Sequence, residues 1–207
     1  MPTTPGVLTD VLAAVWDAVR NTAPDVPDAR IAAADTPPTS EHGPDRWAMD
    51  NDGVVTGLVV SAETLREGPE ATITHLLHEA AHLLCWQRGI KDTASGGIYH
   101  NKRYLAAADE VGLRWPEDAA RASSAGFSAV VMPQETLDVY STYVKPLAAA
   151  IEQTLPYLAT PATARTVRVN RLTLQCKKCT PPRKIQVSRT VAAAGPIVCG
   201  VCNTAFT

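Results

Sequence analysis

The stretch PEATITHLLHEAAHLLCWQ, residues 69 to 87, contains the clearest secondary-structure pattern in this chain. Its apolar side chains recur every three or four residues, the spacing of one broad helix face. They are Ile73, Leu76, Leu77, Ala80, Leu83 and Leu84. Gly68 followed by Pro69 suits the first turn, because proline is well tolerated at the first helical position. The sequence therefore predicts a helix from Pro69 to Gln87 that runs through the core of a domain.

Two histidines and a glutamate lie inside this apolar helix as His78-Glu79-Ala80-Ala81-His82. Residues four apart project from the same helix face, so one tetrahedral zinc ion could accept both imidazoles. Burying unpaired imidazole and carboxylate groups would be costly, which argues against two unconnected histidines. Glu79 would lean toward the open side of the metal and take a proton from zinc-bound water. The motif therefore predicts a catalytic zinc site that hydrolyses peptide bonds.

A catalytic zinc site needs a third protein ligand and an open position for water. His100 is the best match, because it follows a glycine-containing loop and directly precedes a predicted helix. Glu110 on that helix is the rival ligand, and a histidine at a helix start could instead cap backbone groups. Arg88 stands where metzincins have their third histidine, which excludes that subclass. His75, one turn before His78, is expected to pack or to form a supporting hydrogen bond.

Four of the five cysteines form two closely spaced pairs near the C-terminus. They are Cys176 with Cys179 and Cys199 with Cys202. Nineteen residues separate the pairs, which favours a four-thiolate zinc ribbon over a disulfide or redox pair. Because thiolates would fill all four positions around the ion, this site is expected to be structural. The fifth cysteine, Cys85, is expected to pack in the core.

The composition is that of a folded globular protein, with 45% hydrophobic and 19% charged residues among 207. No run approaches the roughly 18 apolar residues of a membrane helix, and residues 1–6 lack the basic start of a secretory signal. We therefore expect a cytoplasmic protein without membrane contact. Residues 161–207 carry eight basic and no acidic side chains, against 11 basic and 21 acidic elsewhere. This asymmetry either suits a polyanionic partner or merely keeps a small module soluble.

Apolar periodicity and turn signals predict the other elements of an α+β fold. The expected helices are Leu8–Arg20, Asn101–Val111 and Gln134–Leu158, the last interrupted near Pro146. The expected strands are a short one at Ala29–Ala33, a hairpin of Asp45–Met49 with Val54–Val60, and strands within Lys184–Val191. The expected irregular segments are a flexible loop at Lys91–Tyr99 and a linker at Ala159–Ala164. Trp47, Trp86 and Trp115 are expected in the core or on the wall of a cleft.

The HExxH helix and the segment after it resemble the SprT-like metallopeptidases over about residues 45–113. That segment reads Tyr99-His100-Asn101-Lys102-Arg103-Tyr104-Leu105 and continues to Gly112-Leu113. In this family a histidine shortly after a glycine supplies the third zinc ligand, and an aromatic residue follows on the next helix. The resemblance implies these roles for His100 and Tyr104. It also implies a zincin-like domain, in which a small sheet packs on the HExxH helix.

The resemblance further implies how the domains are organised. Residues 1–160 would form the metallopeptidase domain, with a core at about 45–113 and a helical extension at 116–160. A linker at 161–170 would lead to a β zinc ribbon at 171–207, a module with which SprT-like proteins commonly end. The family acts on proteins attached to DNA, so the basic ribbon is expected to contact DNA phosphates without sequence specificity. The expected phosphate contacts are Arg171, Lys177, Lys178, Arg183, Lys184 and Arg189.

The sequence as a whole thus predicts a zinc endopeptidase with one catalytic and one structural zinc. Its substrate would be unfolded or DNA-bound protein, paired in extended form against the edge of the Val54–Val60 strand. One alternative is a nucleic-acid-binding protein whose helix site is structural and not catalytic. The other is a processing protease or toxin that uses the same chemistry on one partner.

Overall fold

The computed structural model describes residues 5–35, 47–117, 119–120, 124–158 and 171–207 of a chain that divides into two units, Met1–Pro161 and Ala162–Thr207. Elements are numbered in chain order. The helices are α1 (Pro5–Thr22), α2 (Ala62–Arg66), α3 (Pro69–Gln87), α4 (Lys102–Glu110), α5 (Gln134–Thr154) and α6 (Arg189–Ala193). The strands are β1 (Ala29–Ala34), β2 (Ala48–Met49), β3 (Val55–Ser61), β4 (Thr93–Ala94), β5 (Tyr99–His100), β6 (Arg171–Cys176) and β7 (Arg183–Ser188).

Helix α1 buries the apolar face that its periodicity predicts. Val15, Trp16 and Val19 are inaccessible to solvent or nearly so, and the Trp16 indole N–H donates to the carbonyl of Pro27. The helix packs against β1 and α5. Because its apolar stripe is covered on both sides, α1 is part of the main core.

The sheet of unit 1 has the order β1-β3-β2, with β1 parallel and β2 antiparallel to β3. The predicted hairpin is present, and its turn is held by Asp50, whose carboxylate accepts the N–H groups of Asp52 and Val54. The Val54 N–H accordingly lowers the pKa of Asp50. Strand β2 begins only at Ala48, and the start of the predicted strand at residues 45–46 lies outside the described residues.

Helix α3 spans the predicted residues, Pro69 to Gln87, and forms the centre of the core. Its C-terminus is closed by Gly89 at φ +63°, with the Gly89 N–H bound to the Trp86 carbonyl and the Ile90 N–H bound to the Cys85 carbonyl. This Schellman arrangement needs a left-handed residue, which glycine adopts without strain. The chain is thereby turned back toward the face of α3 that carries His82.

Helix α5 corrects one prediction, because it continues through Pro146 without interruption. Proline removes one backbone hydrogen bond from a helix interior, but the residues after it are anchored by burial. Leu147, Ala150 and Ile151 pack in the main core, and α5 contacts both α1 and α3. Tertiary packing therefore outweighs the local preference of proline. The predicted linker at 159–164 lies outside the described residues.

Unit 2 is a two-stranded antiparallel sheet of β6 and β7 with a cysteine cluster. The predicted strand region Lys184–Val191 is only partly correct, since β7 ends at Ser188 and α6 begins at Arg189. The Ser188 hydroxyl caps α6 by accepting the Val191 N–H, which explains the change from strand to helix. At the C-terminus, Thr207 exchanges backbone hydrogen bonds with Gln175 of β6.

The predicted α+β class is confirmed by this mixture of helices and small sheets. The C-terminal cysteine cluster is compatible with a zinc ribbon. Among the described helices, none has the length and apolar character that crossing a bilayer would require.

Candidate metal centre and groove

Three histidines meet at the buried face of α3. The Nε2 atom of His82 lies 3.2 Å from that of His78 and 3.0 Å from that of His100, and the remaining pair is 3.3 Å apart. A tetrahedral zinc with Zn–N bonds of about 2.0 Å spaces its nitrogen ligands about 3.3 Å apart. The three ring nitrogens therefore have the separation that one zinc ion needs.

The other nitrogen of each ring is held by a neighbour. His100 Nδ1 lies 3.2 Å from the Ile98 carbonyl oxygen, His82 Nδ1 contacts the Asp92 carboxylate, and His78 Nδ1 lies 2.6 Å from the Tyr104 hydroxyl. A carbonyl or an ionised carboxylate only accepts, so the His100 and His82 rings donate from Nδ1. When such a ring is neutral, the proton is on Nδ1, so Nε2 carries a lone pair that points into the cluster.

The protonation of His100 supports the same conclusion. Burial, with a smaller contribution from His82, lowers the pKa of His100 to about 4, so its ring is neutral at pH 7. The His100 Nε2 atom lies 3.0 Å from that of His82 and 3.3 Å from that of His78, so its lone pair faces a position that a cation between the rings would occupy. Three imidazole nitrogens form a donor set that zinc prefers. These residues fit a zinc ion.

His100 is positioned by β5 and by a segment that the sequence left without a role. Its backbone N–H donates to Ala125, its carbonyl accepts from Phe127, and it bridges to Gly126 between them. Gly126 has φ +65°, and a Cβ there would overlap the His100 carbonyl oxygen. A glycine is therefore required at position 126. The sequence alone does not predict this requirement, because Gly126 is far from the HExxH motif along the chain.

Asp92 is the second residue that sequence reasoning missed. It lies in the predicted flexible loop Lys91–Tyr99, which instead contains an antiparallel pairing of β4 with β5 around a short 3-10 turn. Asn101 fixes both ends of this hairpin, because it donates to the Lys91 and Asp92 carbonyls and caps α4. A general property of zinc sites could have identified Asp92, because zinc-bound histidines almost always donate their other ring N–H to a carboxylate or carbonyl.

Replacing Asp92 by Asn is expected to weaken zinc binding at the histidine site by about 10- to 100-fold. The amide can still accept from His82 Nδ1, but it no longer supplies the negative charge that makes the ring a better ligand. Competition with a chromophoric chelator measures this affinity, and the cysteine site of the same chain serves as an internal reference. The exposed Asp17→Asn variant is the matched control. Unchanged affinity at the histidine site in Asp92→Asn would contradict this role.

The rival interpretations of this site are corrected by the structure. Glu110 is not near the histidines, because both its carboxylate oxygens accept from Arg88, at 3.0 and 2.8 Å. Asn101, not His100, caps α4. His75 lies with Nε2 3.4 Å from the Val59 carbonyl oxygen, as a supporting contact to β3. Cys85 is buried in the core as predicted, and burial raises the pKa of its thiol to about 12.

An open groove of about 1190 Å³ runs over the histidine cluster. Its walls include Glu79 and the three histidines, part of β3 at Gly57 and Val59, and the segment Val130–Met132. Glu79 keeps 8% of its surface exposed although it lies on the most buried helix. The carboxylate that follows His78 thus belongs to the groove and not to the closed core.

The four cysteine sulfurs of unit 2 also cluster. The recorded Sγ–Sγ separations are 3.3 Å for Cys176 with Cys202 and 3.7 to 3.8 Å for the pairs made by Cys179. Zinc with Zn–S bonds of about 2.3 Å would space its sulfurs about 3.8 Å apart. The N–H groups of Val201 and Cys202 lower the pKa of Cys199 to about 6, whereas burial and the neighbouring cysteines raise the pKa of Cys179 to about 12, so within this cluster Cys199 is the thiol that ionises more readily.

Several basic side chains in the described part of unit 2 are exposed, and one of them has a local partner. Lys177, Lys178 and Lys184 face solvent, whereas Arg183 Nη1 lies 3.7 Å from Cys199 Sγ. Arg183 therefore has a partner within the thiolate cluster, and its expected phosphate contact stays a prediction. Nonspecific DNA contact by the remaining basic residues stays a prediction.

Comparison with known proteins gives no match to any family model, curated protein or solved structure. The assignment of this site therefore depends on its own geometry and chemistry.

Proposed function

We propose that the chain is a zinc-dependent endopeptidase of the SprT-like type that hydrolyses peptide bonds in extended polypeptides. The observation that supports it is the convergence of three histidine Nε2 atoms beside Glu79 in an open groove. A structural zinc would take a fourth protein ligand, as the cysteine cluster offers. Among the described residues, the histidine group has three members. A position for a reacting water is thus left, which favours a peptidase over a purely structural site.

Glu79 is the group suited to proton transfer. It follows His78 directly on α3 and lines the groove, so its carboxylate can take a proton from a water held at the site. The same group can later return that proton to the departing amine. Zinc, when bound by the three histidines, supplies a Lewis acid that activates the water and polarises the scissile carbonyl.

The rings of the three histidines are held in place by groups that do not react. Asp92, Tyr104 and the Ile98 carbonyl each contact one Nδ1 and hold the ring so that Nε2 faces the cluster, and the two acceptors, Asp92 and Ile98, also set the tautomers of His82 and His100. Preorganisation of this kind removes the need to reorient ligands during the reaction. Tyr104 is itself held firmly, because its side chain is completely buried in the main core.

Strand β3 offers a surface for an extended substrate. Among the described residues, β1 pairs with β3 as far as Ser61, whereas β2 pairs only with Val55 and Thr56. The rest of that second edge, where Gly57 and Val59 line the groove, has no strand partner within the described part of the chain. Backbone hydrogen bonds there would hold a polypeptide irrespective of its sequence.

Zinc titration of the metal-free chain tests this proposal with casein, an unfolded substrate. The metal-free chain is expected to cleave nothing, and cleavage should rise in proportion to zinc occupancy of the histidine site. Gel or mass-spectrometric detection of new peptide termini measures activity, while atomic absorption counts the zinc. A chain that holds two zinc ions and leaves casein intact would contradict the proposal.

A further inference from the structure

Two tryptophans adjoin the histidine cluster on one wall of the groove. The ring centroid of Trp47 lies 6.3 Å from that of His82 and 6.4 Å from that of Trp86, with an edge-to-face angle of 73° between the indoles. Both indoles line the groove, and both are only half-buried. Aromatic surface is therefore available directly beside a metal-ligating ring.

These rings differ from the tryptophan of the core. Trp16 is 1% exposed, whereas Trp47 and Trp86 keep part of their surface open to the groove. Ile90, which follows the end of α3, also lines the groove and is 37% exposed. Exposed apolar surface gathered in a concave site next to reactive groups is characteristic of ligand-binding pockets.

We infer that Trp47 and Trp86, with Ile90, form an aromatic subsite for a large apolar side chain of the substrate adjacent to the bond that is cut. This inference rests on the proposed peptidase function and names its substrate class. An indole pair at this angle can receive a phenylalanine, leucine or methionine side chain with favourable packing. An acidic or small polar side chain gains less there and, if charged, loses hydration. Folded proteins bury large apolar side chains, so the substrates are unfolded segments.

The charge of the groove distinguishes this occupant from a nucleic acid. Tryptophan faces can also stack on bases, so single-stranded nucleic acid is the competing ligand. The groove, however, is lined by the carboxylates of Glu67, Glu79 and Asp92 and by one lysine, Lys91. Once the +2 charge of a zinc ion is added, these three carboxylates and the lysine sum to zero, so the groove has no excess positive charge to attract a polyanion, whereas a neutral peptide needs none. The charge therefore favours the polypeptide.

Peptide hydroxamates, which chelate zinc through their head group, test the subsite on the zinc-loaded chain without requiring turnover. Two series place the variable side chain before or after the chelating group, and each carries phenylalanine, leucine, serine or aspartate. Calorimetric titration should show at least about ten-fold tighter binding of the apolar members in one series. Trp86→Ala and Trp47→Ala should reduce this ratio to about three-fold or less. Tyr157→Ala, which removes a 75% exposed aromatic ring, should leave the ratio unchanged.

Equal binding of apolar and acidic members in both series would overturn the inference, even if a tryptophan variant failed to fold. A ratio that survives both tryptophan substitutions in zinc-loaded protein would overturn it as well. The Glu79→Gln variant should keep the apolar preference, because the subsite does not use the carboxylate. If the preference is found but no protein is cleaved, the proposed function fails and the subsite stands. If casein is cleaved without any preference, only the subsite fails.

Discussion

Replacing Glu79 by Gln is expected to lower kcat for casein cleavage by about 10³-fold while zinc stays bound. Glutamine has nearly the same shape and size, but it cannot take a proton from water at neutral pH. The three imidazoles, which would hold the metal, are untouched by the change. Initial rates of peptide release and zinc content, measured on the same samples, therefore separate a loss of proton transfer from a loss of metal.

Glu70→Gln is the matched control for this experiment. Glu70 lies in the first turn of the same helix, is exposed and is not part of the groove, so the change removes one carboxylate without touching the site. Its activity should equal that of the parent chain. Retention of full activity by Glu79→Gln would eliminate Glu79 as the proton-transfer group. A parallel loss of zinc would instead assign Glu79 to holding the metal.

The part of the site that lies on one helix could be predicted from sequence. His78, Glu79 and His82 are fixed relative to each other by helical geometry, and the apolar stripe of α3 predicts its boundaries at Pro69 and Gln87. His100 was predicted from its place between a loop and a helix, and the structure brings it to the same cluster. Local sequence patterns are enough to predict these positions, because each one depends on residues only a few places away in the chain.

The remaining features depend on contacts between distant segments. Asp92 reaches His82 only because Gly89 turns the chain back at the end of α3, and Gly126 meets His100 only after a segment that shows no periodic pattern. Trp47 and Val130–Met132 reach the groove in the same way. The predicted interruption of the helix near Pro146 was wrong for a related reason, because burial of the turns after this proline stabilises the helix. Single-sequence reasoning has no measure of such long-range packing.

Replacing Cys199 by Ser is expected to unfold unit 2 while unit 1 stays folded. In the described part of unit 2, the only buried apolar side chains are Cys176 and Cys199, and Val191, Val198 and Val201 are each more than half exposed. A module without a hydrophobic core depends on its metal, and structural zinc contributes about 10–16 kcal/mol in small ribbon-like peptides. With only three thiolates left, the site binds zinc more weakly, so unit 2 loses much of the stabilisation that the metal provides. Amide NMR resonances of residues 171–207 should collapse toward random-coil shifts.

Zinc counting and a second cysteine variant complete this test. The Cys199→Ser chain should bind one zinc ion, at the histidine site, against two for the parent. Cys85→Ala is the control, because this cysteine is buried in unit 1, its sulfur lies 3.8 Å from the Arg103 carbonyl oxygen, and it belongs to neither candidate metal-ligand group. It should retain two zinc ions and the dispersed resonances of unit 2. Dispersed resonances in Cys199→Ser after complete zinc removal would mean that unit 2 is held together by packing that its exposed valines do not reveal.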